Sequence, residues 1–248
     1  MTAACPPISI VLAALNGATF LRAQLQSICD QSHENWRVIL SDDGSSDASL
    51  AIARDCLARD RLHLLRGPQQ GIALNFWRGL SHVPKGHFAA FCDQDDVWCK
   101  DKLERALAHL GKDEGPALYS AGRFVTDAGL NVTHRQLRAP VKGFARTFLR
   151  NPVAGHTCVL SPAAVDLLKR APPTRDVPFH DWWAALILSR AGARFVHDTA
   201  PVLYYRQHER NVLGAAGGRA KAVLNGTYFR WLCANASALH VASPRALD

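Results

Sequence analysis

Short apolar runs alternate with amphipathic stretches through the first half of this chain. Ile8–Leu12 is rich in β-branched residues and predicts a strand. Ala13-Ala14-Leu15-Asn16-Gly17 breaks it, and Leu21, Leu25 and Ile28 then recur at helical spacing. A second strand over Asn35–Leu40 ends in Ser41-Asp42-Asp43-Gly44-Ser45-Ser46-Asp47, a turn full of cap formers in which Asp47 reads as a cap. Helix follows, with Leu50, Ala53 and Leu57 on one face. Leu62–Leu65 predicts a third strand, Gly67–Gly71 a loop, and Ile72, Phe76, Gly79 and Leu80 another helix. Phe88–Cys92 is a short apolar run that reads as a buried strand, and Leu103, Ala106, Leu107 and Leu110 mark the helix beyond it. Strand–helix alternation of this kind predicts an α/β fold with one doubly wound, mainly parallel sheet.

The second half is less regular. Ala117–Ala121 predicts a strand, Asp127-Ala128-Gly129 a hairpin turn and Phe144–Leu149 a short helix. A loop over Asn151–Thr157 enters a strand at Cys158–Leu160, and Ser161-Pro162 has the chemistry of a helix N-cap and first position. His180-Asp181-Trp182-Trp183 opens a helix in which one indole is expected to pack inward and one to face a cleft. Pro201–Arg206 predicts a last strand.

Composition narrows the class. A hydrophobic share of 48% is that of an ordinary globular domain, and no apolar run reaches membrane-spanning length. The first seven residues carry no basic n-region, so the expectation is a cytoplasmic protein. Seven cysteines without a CxxC pair predict reduced, mostly buried thiols. The net charge of +8 suits an anionic ligand, an anionic membrane face or nucleic acid. Past Tyr205 the chain carries Arg206, Arg210, Arg219, Lys221 and Arg230 against Glu209.

The strongest chemical signal is Asp93-Gln94-Asp95-Asp96, three carboxylates within four residues at the end of the fourth predicted strand. Such acids repel one another and resist desolvation, so a strand end that gathers them calls for a counter-charge. A hard divalent cation, Mg²⁺ or Mn²⁺, shared with substrate phosphates fits. In open α/β sheets, ligands bind beyond the carboxyl ends of the strands, where this cluster falls. Taken alone, the cluster can also be a solvated acidic turn, with Asp96 or Asp101 near a helix N-terminus. No GxGxxG or GxxxxGK[ST] loop is present, which leaves Rossmann dinucleotide and P-loop chemistry unsupported.

Taken together, Ile8–Asn16, Val38–Asp47, Gly71–Asn75 and Phe91–Trp98 resemble, in order and spacing, the nucleotide-binding half of family 2 glycosyltransferases, inverting enzymes of the GT-A fold. Gly155-His156-Thr157, His180–Trp183 and Tyr205–Asn211 are similar to the bacterial rhamnosyltransferase-like branch. The resemblance spans roughly residues 8–214 and implies a GT-A domain over 1–214, with a nucleotide-sugar half near 8–110, an acceptor half near 115–214 and a basic, aromatic helical tail over 215–248.

The resemblance also implies roles. Ala13, Leu15, Asn16, Asp42, Asp43, Gly71, Asn75, Asp93 and Gln94 would contact the donor nucleotide, with Asp43 on the base or ribose. Asp93, Asp95 and His208 would hold the metal, Asp95 most directly. Asp181 would be the general base, and Gly155, His156, His180, Trp182 and Trp183 would line the acceptor site. The family usually has Tyr or Thr-Tyr where Ala14-Leu15 stand, and Glu-Asp where His180-Asp181 stand. The implied reaction moves a sugar, L-rhamnose from dTDP-L-rhamnose in this branch, to a saccharide or lipid-linked saccharide. UDP- and GDP-sugars, a nucleotidyltransferase and a degenerate binding domain are the alternatives. Nucleic acid is not an expected partner. The tail mixes cations with Tyr228, Phe229 and Trp231 as interfacial helices do, so peripheral contact with the inner membrane face is a further expectation.

Overall fold

The computed structural model describes residues 5–111, 114–140, 142–209, 222–223 and 225–242. Strand β1 (Ile8–Ala14) is buried along its whole length. Its side chains alternate between the two faces of the sheet. Val11 and Ala13 enter one core cluster; Ile8, Ile10, Leu12 and Ala14 enter the other. A strand covered on both faces reads as a continuous apolar run, which is why its sequence shows no polar alternation.

Helix α1 (Ala18–Cys29) leads to β2 (Trp36–Asp42), α2 (Ser49–Cys56) to β3 (Leu62–Arg66), and α3 (Ile72–Ser81) to β4 (Phe88–Cys92). These four strands are parallel, with β1 between β2 and β4 and β3 beyond β2. Asp47 accepts from the backbone N–H of Ser49 at 3.0 Å and of Ala18 at 3.0 Å, so it ties the starts of α2 and α1 together.

Beyond β4 the sheet becomes mixed. A short β5 (Val97–Trp98) precedes α4 (Lys102–Leu110), and β6 (Ala117–Thr126) turns back as a hairpin into β7 (Val132–Gln136). Helix α5 (Phe144–Leu149) and a 3₁₀ turn (Gly155–Thr157) lead to β8 (Val159–Leu160), which is antiparallel to both β4 and β6. After α6 (Pro162–Lys169) and α7 (His180–Arg190), β9 (Arg194–Arg206) runs parallel to β6 and antiparallel to β5. The path is β3-β2-β1-β4-β8-β6-β9-β5, with β7 attached to β6.

Ser161 caps α6 through its hydroxyl to the Ala164 N–H at 3.3 Å, as its position before Pro162 predicts. Strand β9 starts at Arg194, well before the expected Pro201, because its first residues pair with β6. The register shifts on both sides of Gly122. A Cβ there would lie 3.0 Å from the Thr199 carbonyl oxygen, so the bulge needs a glycine. Asp198 fastens this region. It pairs with Arg105, accepts from Tyr119 Oη at 2.8 Å and from the Ala200 N–H at 3.0 Å. Burial alone would raise its carboxyl, yet the hydrogen bonds from Arg105, Ala200 and Tyr119 hold it at about 2.

Two expectations change. Both indoles are core residues. Trp183 is fully buried with Nε1 donating to the Ala171 carbonyl at 2.9 Å, and Trp182 is 3% exposed with Nε1 on the Thr147 carbonyl at 2.7 Å. A buried indole needs a partner for its N–H, and both find one on a neighbouring backbone rather than facing a cleft. Of the seven cysteines, only Cys92 and Cys158 are buried, though none is bonded to another. The boundary expected after residue 214 lies outside the described residues. Helix α8 (Thr227–Val241) packs Tyr228, Trp231, Leu232 and Leu239 onto the main core. Among the described residues, no helix is long and apolar enough to cross a membrane.

Candidate active site

The carboxyl ends of β1, β2 and β4 form one rim. At the β1 end, Gln94 holds the backbone of Leu15 from both sides: its Oε1 accepts from the Leu15 N–H at 2.9 Å and its Nε2 donates to the Leu15 carbonyl at 3.0 Å. Gly17 leaves room for it: a Cβ there would lie 2.3 Å from Gln94 Oε1 and would push that side chain aside. Asn16 adopts φ 49°, and its Oδ1 accepts from the Ser46 N–H at 2.9 Å, joining this turn to the one after β2. Ala13 is 5% exposed, so only its backbone can face the rim; Leu15 is 49% exposed beyond it.

In the β2 turn, Asp42 accepts from Ser45 N–H at 3.0 Å and from its hydroxyl at 2.5 Å, and so supports the turn. Asp43 sits at the strand end with Oδ1 accepting from the Gln69 N–H at 2.6 Å. Asn75 is buried, with Nδ2 donating to the Ser41 carbonyl at 3.0 Å, and the carbonyl of Gly71 accepts from the Asn75 N–H at 3.0 Å. Asn75 therefore braces α3 against β2, with its buried Oδ1 close to Gly67 and Asp43.

The acids after β4 separate into two sets. Asp95 Oδ2 meets His208 Nε2 at 2.8 Å, and the His208 ring stacks on Phe20 at 4.7 Å. Asp93 and Asp96 converge instead on His156, whose Nδ1 lies 3.1 Å from Asp93 Oδ2 and 3.0 Å from Asp96 Oδ2. Asp96 is fully buried and stands outside any helix N-terminus; the residue before α4 is Asp101. His156 thus joins the acid cluster. Arg123 Nη1 approaches His156 Nε2 at 2.6 Å. A guanidinium can only donate, so Nε2 is the acceptor and Nδ1 carries the proton donated to Asp93, while the nearby buried Asp96 Oδ2 is left without a hydrogen bond.

Cations surround the acids without neutralising each one directly. Lys102, fully buried, donates to the His156 carbonyl at 2.5 Å, with its ammonium 3.5 Å from the centre of the Trp98 ring; burial brings it down to about 8. The Arg123 guanidinium lies over the Tyr205 ring at 4.2 Å. Arg206 donates from Nε to the Asp95 carbonyl at 3.0 Å and from its backbone N–H to Asp96 Oδ1 at 3.3 Å. Asp95 is still pushed up to about 8, by burial first and then by the neighbouring Asp96 and Asp93 carboxylates. Burial would also raise Asp93, but the hydrogen bond from His156 holds it below the ordinary range.

Asp93, Asp96 and His156 offer oxygen and nitrogen atoms within 4.8 Å of one another. Oxygen-rich sets with one imidazole fit Mg²⁺ or Mn²⁺.

The expected base lies on the other side of the same 3₁₀ turn. Asp181, in the first turn of α7, is 9% exposed. Its Oδ2 accepts from the Gly155 N–H at 3.0 Å and its Oδ1 from the Trp182 N–H at 2.7 Å. Each oxygen keeps a second lone-pair direction for another donor. Gly155 permits this approach: a Cβ there would lie 3.1 Å from Asp181 Cβ and 2.4 Å from His180 Nε2. His180 is a packing residue, stacked 3.6 Å from Phe76 and edge-on to Phe91, and burial lowers its basicity.

Phe20, Lys102 and Arg123 are site residues that pattern reading did not single out, and Asp96, counted there with Asp93 and Asp95, carried no assigned role. Lys102 alone left a trace, as a lysine one turn before Ala106 on the apolar face of α4.

The mixed α/β sheet, with acids at the end of its fourth strand, has the GT-A fold of solved structures. The mannosyltransferase PcManGT of Pyrobaculum calidifontis, solved with GDP-Man and Mn²⁺, matches with a TM-score of 0.60 at 20% identity, over 99% of this chain and 73% of that one. S. aureus TarS with UDP-GlcNAc gives a TM-score of 0.62 at 17% identity, over 83% of this chain and 60% of that one. The sequence profile of glycosyl transferase family 2 matches residues 9–162, and the chain belongs to that family. The dTDP-rhamnosyl transferase RfbG of Shigella flexneri is 26% identical over 218 residues, 82% of this chain and 74% of its own length. The putative glycosyltransferase EpsE of Bacillus subtilis is 32% identical over 125 residues, and the chain spans less than half of it, 45%.

Proposed function

We propose that this chain transfers a sugar with inversion from a nucleotide diphosphate donor, dTDP-L-rhamnose, to a saccharide or lipid-linked saccharide in cell-surface polysaccharide synthesis. The observation that carries this reading is the turn at Gly155-His156. His156 gathers Asp93 and Asp96 on the donor side while the Gly155 N–H aims Asp181 on the other. Donor and base are thereby set by adjacent residues.

Asp93, Asp95 and Asp96, with His208, would hold Mg²⁺ or Mn²⁺ while His156 positions Asp93, and a cation there would offset the negative charge left on the departing diphosphate. The rim formed by Leu15, Asn16, Asp43 and Gln94 would receive the nucleoside, with the Asp43 carboxylate facing base or ribose. Asp181 would take the proton of the attacking acceptor hydroxyl, a role that typically contributes about 10²–10⁴-fold. One base with no second nucleophilic carboxylate suits a single displacement. The rhamnosyl assignment is supported by the similarity to RfbG over most of the chain.

Calorimetric titration with dTDP, UDP and GDP in the presence of Mn²⁺ tests the donor. Preferred binding of dTDP supports the assignment. Preference for UDP or GDP moves the donor to another sugar nucleotide, and no binding of any of the three leaves the chain a degenerate domain.

A further inference from the structure

We propose that the face built by α5 and α8 docks on the anionic surface of a lipid bilayer. The charge pattern of the sequence is the first support. No Asp or Glu occurs between Asp127 and Asp166 or between Glu209 and Asp248, while each stretch carries five Lys and Arg residues. The fold brings together α5 and α8, one helix from each stretch. Tyr228 of α8 donates to the Leu149 carbonyl at the end of α5, and Trp182 stacks on Tyr228 while donating to the Thr147 carbonyl.

The second support is what this face leaves outward. Leu149 is 55% exposed, Phe229 63% and Val241 70%. Arg146, Arg150 and Arg230 are exposed among them. On α8, Phe229, Cys233, Ala236 and His240 recur at helical spacing along one stripe, with no carboxylate on the helix. Large apolar side chains interleaved with arginines are poorly suited to water and well suited to an interface of acyl chains and phosphates. A cavity of about 460 Å³ opens between α5 and α8, with Phe144, Phe148 and Leu239 as an apolar floor and Arg190 and His240 as basic groups at it. That pairing of apolar depth with cations matches a phospholipid better than it matches a protein groove or nucleic acid.

The face also has a place in the reaction. Trp182, which contacts both helices, follows Asp181 directly. A bilayer held there would present a lipid-linked acceptor beside the base, a consequence that rests on the transferase reading above; docking itself does not.

The test is co-sedimentation of the full chain with vesicles of phosphatidylcholine alone and of phosphatidylcholine mixed with phosphatidylglycerol. The wild-type protein is expected to pellet with the mixed vesicles and to be released by salt. Each arginine near an anionic surface contributes roughly fivefold in partitioning, so the triple change Arg146→Gln, Arg150→Gln and Arg230→Gln should weaken it on the order of a hundredfold. Phe229→Ser should weaken it several-fold and serves alone if the triple variant does not fold. Circular dichroism and nucleotide binding check that the variants are intact. No sedimentation with mixed vesicles, or sedimentation that these variants leave unchanged, overturns the proposal. Retention on duplex DNA without vesicle binding overturns it too, in favour of a general polyanion surface.

Discussion

The sheet up to β4 and the sheet beyond it are built on different principles. Strands β1 to β4 pair in parallel through helical crossovers, in the order β3-β2-β1-β4, so each strand end, with its turn, arrives on one rim. The later strands pair both antiparallel and parallel, β8 with β4 and β6 and β9 with β6 and β5, and they and the turns next to them bring side chains to the same site. His156 crosses to Asp93 and Asp96, Arg206 to Asp95, and His208 to both Asp95 and Phe20. The first region supplies acids from a local pattern. The second decides which acid faces which partner.

The sharpest way to test this division is to remove one member from each side. Asp181→Asn should lower kcat by about 10²–10⁴-fold while leaving the donor KM close to the wild-type value, since its carboxylate touches neither acid set. Steady-state kinetics with dTDP-rhamnose separate the two parameters. A raised donor KM with little loss of kcat would merge the two regions.

Next in size is the packing of the second region. Trp183→Ala removes a fully buried indole and its hydrogen bond to Ala171, and should cost about 3–5 kcal/mol in denaturant unfolding. A cost below about 1 kcal/mol, typical of exposed positions, would return the indole to a surface role.

Acid should loosen the same region. Asp198 is held at about 2 by its hydrogen bonds, against about 3.9 for a free aspartate. The unfolded chain binds that proton first as pH falls, so the stabilisation is complete above about pH 4 and is lost progressively towards about pH 2. Asp198→Asn should be less stable at neutral pH and should lack this component of the acid transition in a Tm series. Equal acid transitions in both proteins would contradict it.

The smallest effect is expected on the rim of the first region. Leu15 is half exposed and is held by its backbone, so Leu15→Ala should change stability by no more than about 0.5 kcal/mol.

The same contrast explains what could be read from the chain. Strands β1 to β4 and their acid-rich turns were legible because a buried parallel strand announces itself as an apolar run with a turn at its end. The hairpin turn at Asp127, the Ser161 cap and the start of α7 at His180 were legible for the same local reason. Partnerships were not. Asp96 looks like any acid in a turn until its burial under Arg206 and His156 is seen. His156 stood in a motif without showing that it faces the acids, and Trp182 and Trp183 gave no sign that both would turn inward. Strands β5 and β7 are too short or too polar to stand out, since they form by pairing with β9 and β6.

The most direct measurement is calorimetric binding of dTDP with and without Mn²⁺ to the wild-type chain, Asp95→Ala and Asp181→Asn. The division of labour predicts metal-dependent binding in the wild type, its loss by at least tenfold in Asp95→Ala, and wild-type affinity in Asp181→Asn. Binding that is indifferent to Mn²⁺ and to Asp95, or that falls equally in both variants, would contradict it.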